Sequence, residues 1–362
     1  MSMINYGIIG CGMMGCEHIQ NINLLPQGRV VAVFDPVAEL AARAADLAGG
    51  AQICPSLESL LAIEALDALV IVSPNDLHVP QLREIAALRP LPVLCEKPVY
   101  TSSADESFLQ EFAASYPAPI WVAMEYRYMP PVALLREEAQ EVTGGVAMLT
   151  IREHRFPFLP KVGAWNRFNV QTGGTLVEKC CHFFDLMRLI LQDEAVRVMA
   201  SAGQTVNHKD ETYGGRAPDI WDNGYVIVDF ARGGRAMLEL CMFAEGSRYQ
   251  EEICAVGPTG KIEALVPGPG RFWPDHLGAA PVPQVIVSPR MPKGPRIVDV
   301  PVEAALLEAG DHNGSTYYQH ERFNAVVRGE GQPEVTLSDG MKAVRIGLAA
   351  QQSAATGQAV VL

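Results

Sequence analysis

The sequence predicts an α/β plus α+β chain: a doubly wound parallel sheet over residues 1–124, then a unit with an open, mostly antiparallel sheet over residues 125–362. Three observations predict it. Apolar runs and helix-like segments alternate through the first third, the pattern of strand–helix–strand units whose helices cover both faces of a parallel sheet. Beyond that, "GVAMLTIREH", "AVRVMASAG", "GYVIVDFA" and "GRAMLELCMF" are strand-like runs linked by hairpin-like turns such as "RGG". The chain also has 362 residues, 49% of them hydrophobic, which is longer than the roughly 250–300 residues at which single cores divide.

In the first unit, strands are expected at about 4–9, 30–35, 67–73, 91–95 and 119–124, with helices at about 13–25, 36–48, 76–88 and 102–116. Asp35-Pro36 and Ser102-Ser103 with Asp105 and Glu106 mark helix starts, where a side-chain oxygen and early acids satisfy free N–H groups. Among the strands of the second unit one interrupting helix is expected at about 173–192, with Leu176, Phe183, Leu186 and Leu189 packing inward. "YVIVDF" is apolar on both faces, Tyr225 and Ile227 on one and Val226, Val228 and Phe230 on the other. One helix covers one face, so a second copy is expected on the outer face, giving a homodimer or homotetramer. Residues 266–296, rich in proline and glycine, read as long loop. Helices at about 315–328 and 338–356 are expected to pack back towards the first unit.

A formal charge of −13 repels phosphate backbones and anionic lipid, so neither nucleic acid nor a membrane is an expected partner. No apolar run reaches the roughly 18 residues of a membrane span. The N-terminal "MSMINYGIIG" lacks a basic leader, and the eight cysteines lie mostly in apolar runs without CxxC spacing. A reduced, cytoplasmic setting is therefore expected.

"YGIIGCGMMG" places Gly10, Gly12 and Gly15 between a strand and a helix with G-x-G-x-x-G spacing. The first glycine permits the tight turn, the second lets backbone approach a pyrophosphate, and the third lets helix and strand pack closely. Met13 and Met14 stand at the helix start, whose N–H groups would take the anion. Asp35 ends the next strand. Its carboxylate suits ribose hydroxyls and repels a 2′-phosphate, which points to NAD(H) over NADP(H). The alternative for Asp35 is a plain helix cap before Pro36.

Ligands of such sheets bind beyond the carboxyl ends of the strands. "VIVSPNDLH" and "VLCEKP" therefore bring Ser73, Asn75, His78, Glu96 and Lys97 to one edge, where Lys97 can reach a substrate oxygen and Glu96 can orient it or the ribose. The bland alternative is a surface ion pair worth about 0–1 kcal/mol. Glu178, His182 and Asp185, at i, i+4 and i+7, share one helix face expected to look into the cleft. The imidazole suits proton transfer near neutral pH, and a carboxylate can fix its tautomer. The same set could hold a metal, or His182 could be structural; hydride transfer needs no metal, and none is expected. Trp165 offers a plane for a nicotinamide or sugar ring and Arg167 a partner for an anion, with purely structural roles equally open. His154, His208, His276, His312 and His320 have no spacing that compels a role.

The ordered set "GIIGCGMMG", "VSPNDLH", "VLCEKP", "EYRYMP" (Glu125–Pro130) and "GGTLVEKCCHFFDLM" (Gly173–Met187) resembles the glucose–fructose oxidoreductase, inositol dehydrogenase and rhizopine-catabolism (Gfo/Idh/MocA) family over nearly the whole chain. The resemblance implies an N-terminal Rossmann domain and a C-terminal open, mostly antiparallel sheet. It implies that Lys97 is the catalytic lysine with His182 as partner. Asn75, His78 and Glu96 would line the cofactor, and Tyr126 and Arg127 would lie near the substrate. An aspartate is usual where Glu178 stands, and Lys179-Cys180-Cys181 replaces smaller residues, which puts the substrate in doubt more than the reaction class. The expected activity is an NAD-dependent dehydrogenase of a cyclic polyol, sugar or sugar-derived alcohol. Lys97 with His182 would remove the hydroxyl proton while Glu178 holds a second oxygen or orients His182. A cationic nicotinamide would press the Lys97 pKa below its free value of about 10.4. The alternatives are an NAD-assisted glycosidase, a non-catalytic sugar- or NAD-sensing regulator, and a reductase of an imine or enone.

Overall fold

A computed structural model describes residues 3–362. Its first sheet is formed by β1 (Ile4–Ile9), β2 (Gly28–Phe34), β3 (Gln52–Ile53), β4 (Ala68–Ile71), β5 (Val93–Cys95) and β6 (Ile120–Val122), all parallel, in the order β3-β2-β1-β4-β5-β6. Helices α1 (Met13–Leu24), α2 (Ala38–Leu47), α3 (Leu57–Leu61), α4 (His78–Leu88) and α5 (Glu106–Ser115) connect the strands. Every residue of β4 and β5 is buried, which explains why these strands read as unbroken apolar runs. The strand order reverses between β1 and β4. Gly10, Asp35, Ser73 and Glu96 each follow the end of a strand within two residues, so parallel pairing alone gathers them on one edge. β3 and α3 lie outside the expected elements; β3 is two exposed residues.

After α6 (Pro130–Thr143) comes the second sheet. It contains β7 (Met148–His154), β8 (Ala195–Gly203), β9 (Asn223–Phe230), β10 (Arg235–Cys241), β11 (Glu251–Val256), β12 (Gly260–Val266), β13 (Gln284–Pro289), β14 (Arg296–Asp299) and β15 (Val360–Val361). The order is β14-β13-β12-β11-β7-β10-β9-β8-β15, antiparallel except between β7 and β10. Two expectations are corrected here. α6 was hidden by Pro130 and Pro131, which sit in the first turn, where a missing N–H costs nothing. The stretch 266–296 is not all loop: Val285 and Val287 of β13 turn inward and are buried, but flanking prolines masked the alternation.

The single expected helix at 173–192 is broken into α8 (Thr175–Glu178) and α9 (Cys181–Leu191), preceded by α7 (Asn169–Thr172). α6 covers β12 and β13 while α9 and α12 (Leu337–Thr356) lie against each other, with α12 on β8. On β9, Val226, Val228 and Phe230 are buried under this layer, whereas Tyr225 and Ile227 are exposed on the outer face. α10 (Ala304–Glu308) leads to α11 (Ser315–Val327), which packs on α1. Tyr6 of β1 hydrogen-bonds Asn324 of α11, and α12 also touches α5 and β6.

Candidate active site

A cavity of about 1400 Å³ runs along the carboxyl edge of the first sheet to the wall of the second unit. At its nucleotide end, Gly10 has φ +99, and a Cβ there would lie 2.6 Å from the Ser73 nitrogen; one on Gly15 would lie 2.3 Å from the Gly10 oxygen. Both must be glycine for packing. A Cβ on Gly12 would meet nothing within 4 Å, and Gly12 lines the cavity, so this glycine keeps space open for a ligand. α1 begins with no side-chain cap and no acid in its first turn, leaving its N–H groups to an anion. These residues fit a dinucleotide pyrophosphate, with Met13 and Met14 in the wall.

Asp35 lines the cavity too. Its Oδ2 accepts from the Cys11 N–H at 2.7 Å and its Oδ1 from the Val37 N–H at 2.8 Å. The carboxylate therefore braces the glycine turn and the start of α2 while retaining lone pairs for ribose hydroxyls.

Ser73 and Asn75 also line the cavity. The Asn75 Nδ2 is buried without a partner among the described residues, a donor left available to a ligand. His78 does not line it: Nδ1 lies 2.8 Å from the Pro98 oxygen and Nε2 3.0 Å from the Ser73 oxygen. It ties together the loops after β4 and β5. Glu96 lines the cavity, with Oε1 3.0 Å from His18 Nε2, whose Nδ1 is 2.7 Å from His320 Nε2. Burial opposes the Glu96 charge, but the His18 hydrogen bond together with the His18, Lys97 and His78 charges outweighs it and holds the carboxyl below its usual range.

Lys97 is half-buried in the cavity wall and donates from Nζ to the Glu178 backbone oxygen at 3.1 Å. This contact joins the two units. Burial works against the ammonium, yet Cys181, Glu96, Glu178 and Glu125 together raise its pKa above that of an ordinary lysine. Without a cationic nicotinamide, the balance thus runs opposite to the depression expected with one bound. The Glu178 side chain faces the same cavity, with Oε1 3.6 Å from Lys161 Nζ and Oε2 buried without a hydrogen-bond partner among the described residues. Trp165 lines the cavity, and Lys161 Nζ lies 4.3 Å from its ring centroid.

His182 is 2% exposed and lies behind this wall. It stacks on Tyr126 at 4.1 Å and 5°. Burial first, then the Lys97 and Lys179 charges, push its pKa well below the usual histidine value, so the imidazole is neutral. Tyr126 accepts from Lys179 Nζ at 2.5 Å, and Lys179 pairs with buried Glu153 at 2.8 Å. Neither His182 nor Tyr126 is among the residues lining the cavity.

Arg127 and Asp185 are not at the cavity. Arg127 Nε and Nη2 donate to the two Asp185 oxygens, each at 2.5 Å, and Nη1 donates to the Glu334 oxygen at 2.9 Å. The implied placement of Arg127 near the substrate is therefore corrected to a buried ion pair. The shared face expected for Glu178, His182 and Asp185 is broken at the α8–α9 junction. Among the described residues, no group of three or more His, Cys, Asp or Glu could hold a metal ion. Arg167 is likewise a buried structural cation, donating to Glu211 at 2.9 Å. Sequence reasoning missed Lys161, Glu17, Asp311 and Asn313, all of which line the cavity, as does part of the proline-rich stretch from Pro267 to Pro283. Glu17 Oε1 lies 2.6 Å from His312 Nδ1, a pairing no local spacing signals.

Residues 4–124 match the model of an oxidoreductase family with an NAD-binding Rossmann fold, and residues 139–362 match that family's C-terminal alpha/beta domain. An inositol 2-dehydrogenase of Leifsonia xyli is 32% identical over 276 residues, 75% of this chain and 76% of that protein. One of Corynebacterium glutamicum strain R is 31% identical over 198 residues, 54% of this chain, and the match spans only 56% of that protein's length. Among solved structures, a levoglucosan dehydrogenase in complex with NADH and levoglucosan shares the fold, with a TM-score of 0.80, 21% identity, and 99% of each chain covered.

Proposed function

The chain belongs to the Gfo/Idh/MocA oxidoreductase family, whose N-terminal domain is an NAD-binding Rossmann fold, and on that premise we propose that it is a dehydrogenase of a cyclic polyol, sugar or sugar-derived alcohol that prefers NAD to NADP. The observation that carries the reading is one continuous cavity lined by the Gly12 cradle, Asp35, Lys97 and Glu178. It has space for a dinucleotide and a small polar substrate together. NAD⁺ bound there supplies the hydride acceptor.

The protein's own groups do the rest. Lys97, an ammonium in the free protein, hydrogen-bonds the reacting oxygen and stabilises the negative charge that develops on it. The neutral His182 imidazole takes a proton from the Lys97 ammonium, and the amine so freed accepts the hydroxyl proton as the alcohol is oxidised. Glu178 Oε2, buried without a partner among the described residues, accepts from a second substrate hydroxyl. Asp35 takes the ribose hydroxyls and sets the preference for NAD. The outer sheet face bearing Tyr225, Ile227 and Met148, each exposed, is where a second copy would dock.

The test is a screen of inositols, hexoses, anhydro sugars and sugar acids, following NADH or NADPH formation by absorbance. Turnover of a ring polyol with NAD⁺ supports the reading. Glycoside cleavage without lasting NADH formation would replace it with the NAD-assisted hydrolase.

A further inference from the structure

Lys161 has no part in the mechanism above, although it lines the same cavity as Lys97. It precedes a sharp bend in which Gly163 and Ala164 both take left-handed backbone, φ 69 and φ 51. For a non-glycine residue this is a strained conformation of the kind retained where geometry matters. The bend brings Trp165 back beneath the ammonium, 4.3 Å from the ring centroid. On its other side Lys161 Nζ meets Glu178 Oε1 at 3.6 Å, with the two side chains 29% and 5% exposed. Glu178 is thus held from two directions, at its backbone oxygen by Lys97 and at its carboxylate by Lys161. What remains is Oε2, an acceptor without a donor among the described residues, beside an ammonium with three N–H groups and only one carboxylate contact.

We propose that Lys161 is a substrate-recognition residue: together with Glu178 Oε2 it forms a donor–acceptor pair that reads a second hydroxyl of the substrate, so the site selects polyhydroxylated rings over isolated alcohols. This rests on the dehydrogenase reading. The hydroxyl donates to Glu178 Oε2 and accepts from Lys161, while Lys97 holds the reacting oxygen. Both recognition groups are fixed before substrate arrives, by an aromatic ring on one side and an opposite charge on the other, so little ordering is left to occur on binding. A monohydroxy ring would leave the buried Glu178 Oε2 without a donor, which is how such sites reject incomplete substrates.

The experiment compares wild type, Lys161→Met and Lys161→Arg in NAD⁺-dependent oxidation of myo-inositol, cyclohexane-1,2-diol and cyclohexanol. Wild type should favour the diol over cyclohexanol by roughly 10-fold or more in kcat/KM. Lys161→Met should raise KM for the polyols by roughly 10-fold, leave kcat within about threefold, and lose most of the diol preference. The KM for NAD⁺ should not move, the melting temperature should fall only as far as losing the loose 3.6 Å contact to Glu178 requires, and Lys161→Arg should restore part of the preference. If Lys161→Met does not fold, Lys161→Gln replaces it. An unchanged polyol KM with an unchanged diol preference overturns the inference, as does a fall in kcat and stability together without a change in preference. Absence of turnover in wild type on these alcohols and the wider polyol screen overturns the dehydrogenase reading itself, and the inference with it.

Discussion

Asp185→Ala tests whether Arg127 belongs to the core or to the substrate. The pair is almost fully out of water, with side chains 7% and 0% exposed, and the guanidinium gives two of its three hydrogen bonds to this carboxylate. Removing the anion leaves a buried cation with one carbonyl contact, a change that costs about 3–5 kcal/mol. At roughly 2–4 °C per kcal/mol for a domain of this size, the melting temperature should fall by roughly 10 °C. Urea and thermal melts measure the loss, and kinetics on the folded protein below the transition measure what survives. Removing both charges, as Arg127→Met with Asp185→Leu, should recover most of the stability, because apolar replacement of a buried pair is often neutral or better. The reasoning is refuted if Arg127→Met melts like wild type but raises the substrate KM. Arg127 would then act on the substrate, as the family resemblance implies.

Lys97→Ala should lower turnover at least about 100-fold while NADH affinity, measured by fluorescence titration, stays near wild type. Asp35→Ser should reduce the ratio of kcat/KM with NAD⁺ to that with NADP⁺ by roughly 10-fold or more, since it removes like-charge repulsion of a 2′-phosphate. Gly12→Val should melt like wild type, because its side chain enters open space, yet NADH binding should be lost in the same titration; a large drop in melting temperature would contradict the cradle. The contributions of Glu251 and His312 to stability should fall as pH rises from about 5 to 9. Burial and the neighbouring Glu153 push the Glu251 carboxyl up to about 7, so between about 4.5 and 7 the folded state holds a proton that the unfolded state releases, a loss on the order of 3 kcal/mol. Burial opposes the His312 charge, but the Glu17 and Glu125 carboxylates hold its pKa up to about 9, so its stabilisation is complete below about 6.5 and lost through 9. Urea midpoints for Glu251→Gln and His312→Gln should each flatten their own part of that profile.

The first sheet was legible because parallel strand–helix units repeat a local pattern, and one consequence of parallel pairing is global. All carboxyl ends face the same edge, so locating strand ends in "VIVSPNDLH" and "VLCEKP" already located the edge along which the cavity runs. The second unit was less legible. α6 begins with two prolines and β13 ends in one, and prolines read as breakers regardless of whether the missing N–H matters. The buried polar pairings were not legible at all. His18 meets His320 across 302 residues and Glu17 meets His312 across 295; no periodicity within α1 carries information about α11 or the turn before it.

The segment "EKCCHFFDLMR" shows why three titratable residues at helical spacing do not make one site. Each charge in it finds its own counter-ion: Glu178 meets Lys161, Lys179 meets Glu153, Asp185 meets Arg127 and Arg188 meets Glu194. A buried charge left alone is so costly that the nearest opposite charge decides where each side chain turns, whatever face the helix presents. Three of these pairings hold their ions at 2.8 Å or closer; the Glu178–Lys161 contact, at 3.6 Å, is the loosest. It is also the one whose two members both line the cavity and whose carboxylate keeps a buried oxygen without a donor among the described residues. Closing that contact fully would stabilise the fold and occupy the acceptor. An incompletely satisfied pair at a cavity wall is what a polar substrate would complete, and that incompleteness, more than the helical spacing, is the ground on which Glu178 is proposed to meet the substrate.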